Sequence, residues 1–191
     1  MTSRSEWQEI PGRVFLDTCV VNLILDYGEQ IHDSLAIPRD VSARVASDVE
    51  ALRALFMVGQ RASWQLAISP CTYKEVTETR HAERRRELER WFFEVWQYWQ
   101  VFLESSPDIP NLADAEEIRL RLSASGALAS LPDDNDRNLV CDAVVYRCDA
   151  FCTRDWRTIL KFRQELASLP CRIVTPTEWW SAVRPWSGLW L

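Results

Sequence analysis

Four acidic side chains stand at positions in this chain where a fold could bring them together. They are Asp17, Glu75, Asp136 and Asp155. Two of these acids follow a short apolar run typical of a strand, one lies in the helix after another such run, and one heads an amphipathic helix. Because open parallel sheets place their ligand sites at the carboxyl ends of the strands, we expect the four carboxylates to converge at that edge.

Converging carboxylates repel one another and raise one another's pKa values unless a cation neutralises them. A set of oxygen ligands suits a hard divalent cation, Mg²⁺ or Mn²⁺, better than zinc. Such a cation needs no histidine, and the chain has only His32 and His81. A cation of this kind lowers the pKa of bound water and offsets charge on phosphate oxygens. The pattern therefore predicts a Mg²⁺ or Mn²⁺ site suited to phosphate chemistry.

A simpler interpretation is that the acids are unrelated helix caps, which is the commoner role for an Asp after a strand. Asp136 argues against it, because it lies on the same helix face as Leu139 and Ala143. An acid on a buried stripe is costly unless something cationic meets it. Asp142, six residues further on, is turned about 240° away on ideal helix geometry, so we expect it to face water.

Apolar runs and helical spacing alternate along the chain. Strands are predicted over 13–16, 64–68, 150–152 and 171–174. Helices are predicted over 19–25, 41–60, 113–122 and 156–166, after Ser69-Pro70, from the acidic start at 132–136, and from 175 onward. The segment 27–40 is predicted to be a loop. Alternation of this kind predicts an α/β fold whose sheet carries helices on both faces.

The segment 79–104 changes character midway, from arginines and glutamates to a run dense in aromatic residues. Such a sequence is commonly a solvated helix face followed by a core-facing one. It also suits single-stranded nucleic acid, with arginines contacting phosphates and aromatic rings stacking on bases. The candidate contacts are Arg80, Arg84 and Arg85. The same helices could equally bind a partner protein.

Composition sets broad limits. The 191 residues suffice for one domain, and the net charge of −6 argues against coating nucleic acid through charge alone. Six cysteines without a CxxC pair indicate buried thiols rather than a zinc site. Neither a signal peptide nor a membrane-spanning run is apparent, so we expect a cytoplasmic protein without a membrane partner.

Several sequence blocks, in order, resemble the PIN domain family of metal-dependent ribonucleases, which includes the VapC-type toxins of toxin–antitoxin pairs. The blocks are F-L-D-T-C-V-V-N-L-I-L at 15–25, S-P-C-T-Y-K-E-V at 69–76, D-x-x-L-V-x-x-A at 136–143, F-C-T-R-D at 151–155 and I-V-T-P-T-E-W-W at 173–180. Together they extend from residue 14 to about residue 180. Their order and spacing are more specific than any one block.

The resemblance implies a three-layer α/β/α fold with a central parallel sheet. A single PIN-like domain would occupy 1–191, with an enlarged Trp- and Arg-rich helical segment at about 79–131. It also implies that Asp17, Glu75, Asp136 and Asp155 are catalytic and bind the metal, with Thr153, Thr18 and Asn22 as auxiliary residues. Glu78 is a rival to Glu75, and Cys19 stands where the family often has Asn or Ser.

In function, the resemblance implies a Mg²⁺- or Mn²⁺-dependent endoribonuclease acting on RNA, as the toxin of a toxin–antitoxin pair or in another PIN-like group. An antitoxin or other protein partner and a homodimer are compatible with it. The alternative is a catalytically silent PIN-like scaffold or regulatory protein that binds a partner. A phosphatase of the haloacid dehalogenase type fits poorly, because it needs an acid where Cys19 stands.

Overall fold

A four-stranded parallel sheet forms the centre of the molecule. The computed structural model describes residues 10–62, 64–77, 82–83, 85–87, 89–90, 93 and 107–189. The strands are β1 (Arg13–Leu16), β2 (Gln65–Ala67), β3 (Ala150–Cys152) and β4 (Arg172–Val174), in the order β2-β1-β3-β4. All adjacent strands are parallel, and Phe15 of β1 is in register with Ala67 and Phe151. The four predicted strands are confirmed.

Helices connect and cover these strands. They are α1 (Thr18–Asp26), α2 (Gly28–His32), α3 (Ala43–Ala62), α4 (Pro70–Thr77), α5 (Leu112–Ser125), α6 (Asp134–Val145) and α7 (Pro176–Val183). Two 3₁₀ helices cover Leu160–Phe162 and Arg184–Leu189. In the part of the chain that the structure describes, every helix is too short or too polar to cross a bilayer.

Two apolar cores lie on opposite faces of the sheet, because successive strand residues point to opposite sides. On one face, Leu16 packs with buried residues of α1, α3 and α7, including Trp179. On the other face, Phe15 and Phe151 stack with ring centroids 5.3 Å apart and pack against Leu139 of α6. Helices therefore cover both faces, as the alternating pattern predicted.

Local capping residues fix where the helices near the sheet begin. Asp133 is the N-cap of α6, and its Oδ1 accepts the backbone N–H of Asn135 at 2.7 Å. Thr175 and Glu178 form a capping box at the start of α7, which satisfies amides that would otherwise lack partners. The acidic stretch at 132–136 thus begins a helix, as predicted.

Two sequence predictions of secondary structure are wrong. The segment 27–40 was predicted to be a loop but contains the short helix α2. The segment 156–166 was predicted to be a helix but forms turns and one 3₁₀ helix. Several of its N–H groups bond three residues back, as Glu165 does to Phe162 at 3.1 Å, so the α-helical pattern does not form.

Much of the Trp- and Arg-rich segment lies outside the described residues. This holds for Arg80, Arg84, Glu78 and nearly all of the aromatic run at 91–103. Within the described portion, 112–125 is helical. The single domain over 1–191 and the elaboration at 79–131 stay predictions.

A tight contact joins α3, the entry to β2 and α7. A Cβ atom placed on Gly59 of α3 would lie 2.2 Å from Cδ1 of Trp64, so the indole rests directly on the helix backbone. The Trp64 ring meets Trp179 edge-on with centroids 5.8 Å apart, and its Nε1 donates to the carbonyl of Leu55 at 3.2 Å. Gly59 is therefore required by a close approach of the indole to α3.

Candidate metal centre

Asp17 lies between β1 and α1, at the N-cap position of the helix, but its side chain makes no capping hydrogen bond. The carboxyl is buried, with 5% of the residue exposed. Its Oδ2 instead accepts a short hydrogen bond from the hydroxyl of Thr153 and another from Cys19 Sγ at 3.0 Å. Asp17 therefore makes no capping hydrogen bond, although the backbone N–H of Cys19 lies close enough to lower the pKa of its carboxyl.

Burial raises the pKa of Asp17 above its ordinary value, and the charge of Asp155 raises it further. The hydrogen bonds from Cys19 and Thr153 offset part of this effect. Two donors are thus directed at a carboxylate that would otherwise resist ionisation in a dry site. A cation near Asp17 would lower its pKa further, as these hydrogen bonds do.

Glu75 lies in α4, which begins directly after β2 because Ser69 and Pro70 favour a helix start. The side chain is partly buried, and burial raises its pKa. The charges of Asp17 and Asp136 raise it as well, so Glu75 lies within electrostatic range of both. The structure therefore brings Glu75 to the predicted cluster, while the rival Glu78 lies outside the described residues.

Asp136 stands in the first turn of α6 and is also partly buried. Burial raises its pKa, the charges of Asp155 and Asp17 raise it further, and the nearby Thr158 side chain offsets part of this rise. The side chain that accepts the first free amides of this helix belongs to Asp133. Asp133 therefore caps this helix, and Asp136 lies near enough to Asp155 and Asp17 for their charges to act on its pKa.

Asp155 behaves differently from the other three acids. Its Oδ1 accepts the backbone N–H groups of Arg157 and Thr158 at 2.7 and 3.0 Å, and its Oδ2 accepts the Thr158 hydroxyl at 2.6 Å. Burial raises the pKa of Asp155, but the bonds from Thr158 and Arg157 outweigh burial and lower it. The expectation that all four acids have pKa values raised by one another is therefore wrong for Asp155. For the other three acids, burial is the largest cause of the raised pKa, and the neighbouring acids add to it.

The auxiliary residues connect these acids. Thr153 is fully buried, donates to Asp17, and its hydroxyl accepts the backbone N–H of Asp155 at 3.0 Å. The hydroxyl of Thr18 is buried and meets no partner at full hydrogen-bond geometry among the described residues, yet it lies close enough to Glu75 to lower the pKa of that carboxyl. Asn22 lies partly buried one turn further along α1.

Cys19 is in direct contact with Asp17. Besides donating to Asp17, its Sγ accepts the backbone N–H of Arg154 at 3.1 Å and lies 3.6 Å from the Thr153 hydroxyl. Burial and the charge of Asp17 raise the pKa of Cys19 well above its ordinary value, so the group stays a thiol and acts as a donor. It takes the place of the Asn or Ser that the resemblance led us to expect.

An ion pair between Arg154 and Asp48 was not predicted from the sequence. Arg154 Nε lies 2.8 Å from Oδ2 of Asp48, which is 3% exposed on α3. The pair ties the loop carrying Thr153 and Asp155 to α3. Its two residues are 106 positions apart, so no local pattern could have indicated it.

The prediction that Asp142 faces water is wrong. The residue is 4% exposed, and its carboxylate forms a short ion pair with Arg119 of α5. Because α5 packs along the side of α6 that the helical wheel assigned to solvent, the charge is buried with a partner. Asp142 belongs to this helix contact and not to the acid cluster.

Arg85 is described by the structure, unlike the other two arginines proposed as nucleic-acid contacts. It is partly buried and lies 4.0 Å from the carboxylate of Glu89, one turn further on. That spacing is typical of a helix-surface ion pair. Nucleic-acid contact by Arg85 stays a prediction.

The donor set fits a magnesium-like ion in type. All four acids supply hard oxygens, and no described Lys or Arg forms an ion pair with Asp17, Glu75 or Asp136. In the described ranges, no three His, Cys, Asp or Glu side chains already stand at metal-ligand spacing. Mg²⁺ retains several waters and needs only one or two direct carboxylates, so three direct ligands are not required. The buried, unsatisfied Thr18 hydroxyl could bond such a water.

Comparison of the chain with protein-family models, with curated proteins and with solved structures found no match. What can be said of function therefore rests on the residues and geometry above.

Proposed function

We propose that the protein is a Mg²⁺- or Mn²⁺-dependent endoribonuclease of the PIN type, acting at the edge of the sheet where the acids meet. The observation that carries this proposal is Asp17. Its carboxylate is buried, caps no helix, and is coupled electrostatically to Glu75, Asp136 and Asp155. Among the described residues, no Lys or Arg forms an ion pair with Asp17, Glu75 or Asp136. Acids left in this way are costly to a fold, and that cost is expected where they hold a cation.

In this proposal Asp17, Asp136 and Asp155 hold the cation, and Glu75 completes the site. A bound Mg²⁺ lowers the pKa of water and offsets negative charge on a phosphate. Thr153 fixes the orientation of Asp17 through its hydroxyl. Burial and the charges of Asp17 and Asp136 raise the pKa of Glu75, and we assign to this residue the role of orienting the attacking water.

The experiment that tests the proposal is cleavage of single-stranded RNA by purified protein with Mg²⁺, with Mn²⁺ and with EDTA. We expect metal-dependent cleavage by the wild type. The Asp17→Asn variant should be at least about a hundredfold slower, since even residues that only support metal ligands cost 10- to 100-fold. Asp40→Asn, which changes an exposed acid, serves as the matched control. Equal rates for wild type and Asp17→Asn would refute the proposal.

A second candidate function is a silent scaffold that binds a partner protein and no metal. It is favoured by the lack of a ready-made set of three metal ligands among the described residues. Calorimetric titration with Mn²⁺ separates the two candidates. Binding that Asp17→Asn abolishes supports the nuclease, whereas no heat of binding supports the scaffold. The RNA target, an antitoxin, a homodimer and a cytoplasmic location stay predictions.

A further inference from the structure

An exposed tryptophan lies immediately beside the acid cluster. Trp156 follows Asp155 in the chain, and 46% of its surface is exposed to solvent. The guanidinium of Arg44, from the first turn of α3, lies over the indole, 4.7 Å from the ring centroid. Both side chains are exposed, so this pair contributes little to the core.

The position of the indole is fixed by the same bonds that organise the site. Asp155 accepts the N–H groups of Arg157 and Thr158, which closes a turn around Trp156. One residue earlier, Arg154 is tied to Asp48, which lies one helical turn after Arg44 on α3. These bonds hold Trp156 in place from both sides. A ligand that binds to the indole therefore costs little further conformational entropy.

Two arginines lie next to this indole although the whole chain carries a net charge of −6. Arg44 lies over the ring, and Arg157 is exposed beside it. An aromatic face flanked by guanidinium groups is the arrangement by which proteins hold single-stranded nucleic acid: a base stacks on the ring while the cations contact phosphates. A duplex does not offer an unstacked base to such a face.

We propose that Trp156, with Arg44 and Arg157, is a stacking platform that holds one base of a single-stranded nucleic acid next to the phosphate at the acid cluster. This inference rests on the proposed nuclease function and adds to it a site that contacts the substrate. It also assigns substrate contact to residues outside the Trp- and Arg-rich segment.

The test is binding of fluorescein-labelled 12-nucleotide single strands, one RNA and one DNA, measured by anisotropy with EDTA present. We expect Trp156→Ala to bind about tenfold more weakly than wild type, and Trp156→Phe to lose less, because a smaller ring still stacks. A duplex of the same sequence should bind more weakly than the single strand. Leu120→Ala removes an exposed apolar side chain on α5 and should bind like wild type.

Melting curves of the variants establish whether each is folded. If Trp156→Ala does not fold, Trp156→Phe still tests the platform. Binding by Trp156→Ala or Trp156→Phe equal to that of wild type would overturn the platform, as would equal binding of duplex and single strand or no binding of either strand. The stronger of the RNA and DNA arms identifies the nucleic acid. Because binding is measured without metal, it is independent of cleavage, whose failure would instead count against the nuclease.

Discussion

Asp17 shows how a single side chain can distinguish a functional site from a structural one. A capping Asp stabilises its helix, whereas Asp17 makes no cap bond and has a pKa raised by burial. Residues arranged for function commonly cost the folded state some stability. The effect of replacing Asp17 on stability should therefore differ in sign from the effect of replacing a cap.

We predict that Asp17→Asn stabilises the metal-free protein by roughly 0.5–2 kcal/mol, the range typical when a functional strain is relieved. Asn keeps an oxygen that can accept from Thr153 and removes the buried charge. Because the folded-state pKa of Asp17 is raised, ionisation costs stability as pH rises through that value, so the advantage of Asn should grow with pH and vanish in acid. Urea denaturation at several pH values in EDTA measures this advantage. A loss of stability at neutral pH would favour a structural role.

Thr153 provides a second prediction at this scale. Its buried hydroxyl bridges Asp17 and the backbone of Asp155, so Thr153→Val leaves the Asp155 N–H without this acceptor and Asp17 with the Cys19 thiol as its remaining side-chain donor. We expect a loss of about 1–3 kcal/mol in the free energy of unfolding and weaker Mn²⁺ binding. Thr153→Ser keeps the hydroxyl and should retain metal affinity. If Val and Ser variants bind Mn²⁺ equally, the hydroxyl does not position Asp17.

Elements position the acids through contacts that are distant in sequence. The loop after β3 is tied to α3 by Arg154 and Asp48, and α6 is tied to α5 by Asp142 and Arg119. Both ion pairs bury a carboxylate, and a buried charge that loses its partner is strongly destabilising. The site thus depends on helices that contribute no candidate ligand.

We predict that Arg154→Met destabilises the protein by about 3 kcal/mol, because Asp48 is left buried without a partner. The double variant Arg154→Met with Asp48→Leu should recover most of this loss. Arg121→Met breaks an exposed ion pair with Glu117 and should cost less than about 1 kcal/mol. Urea unfolding measures all three variants. Equal losses in the single and double variants would show that the ion pair itself is unimportant.

The sequence predicted the strands well because strands buried on both faces are short continuous apolar runs, as in β1 and β3. It was wrong about Asp142 because helical spacing identifies one buried face and cannot indicate that α5 covers a second. The helix expected over 156–166 did not form, since apolar spacing alone does not distinguish an α-helix from successive turns. Of the candidate site, Asp17 and Asp155 were proposed from their places after strands, Glu75 from the helix after β2 and Asp136 from the start of α6. The ion pair of Asp48 could not be predicted, because its partner is 106 positions away.

For the molecule as a whole, binding of a cation at the acid cluster should raise the stability of the fold. We predict that Mn²⁺ at about a hundred times its dissociation constant stabilises the fold by about 2.7 kcal/mol. For a chain of this length that corresponds to a rise in melting temperature of about 5–10 °C. Thermal unfolding with and without Mn²⁺ measures it, and Asp17→Asn should show no such rise.

The rise in melting temperature caused by Mn²⁺ should also depend on pH. Because the pKa values of Asp17, Glu75 and Asp136 are raised, protons compete with the cation at a higher pH than they would at ordinary carboxylates. The stabilisation by Mn²⁺ should therefore shrink as pH falls through these raised values. An identical shift in melting temperature at pH 7.5 and in mild acid would mean that the ion binds elsewhere.

The contact between Gly59 and Trp64 constrains which residues can replace them in related sequences. A Cβ at position 59 would collide with the indole at position 64, so a larger residue at 59 requires the side chain at 64 to move or to become smaller. In a descendant lineage, a methyl group gained at the first should accompany a smaller ring or aliphatic chain at the second. Such paired replacement would keep the segment before β2 packed against α3.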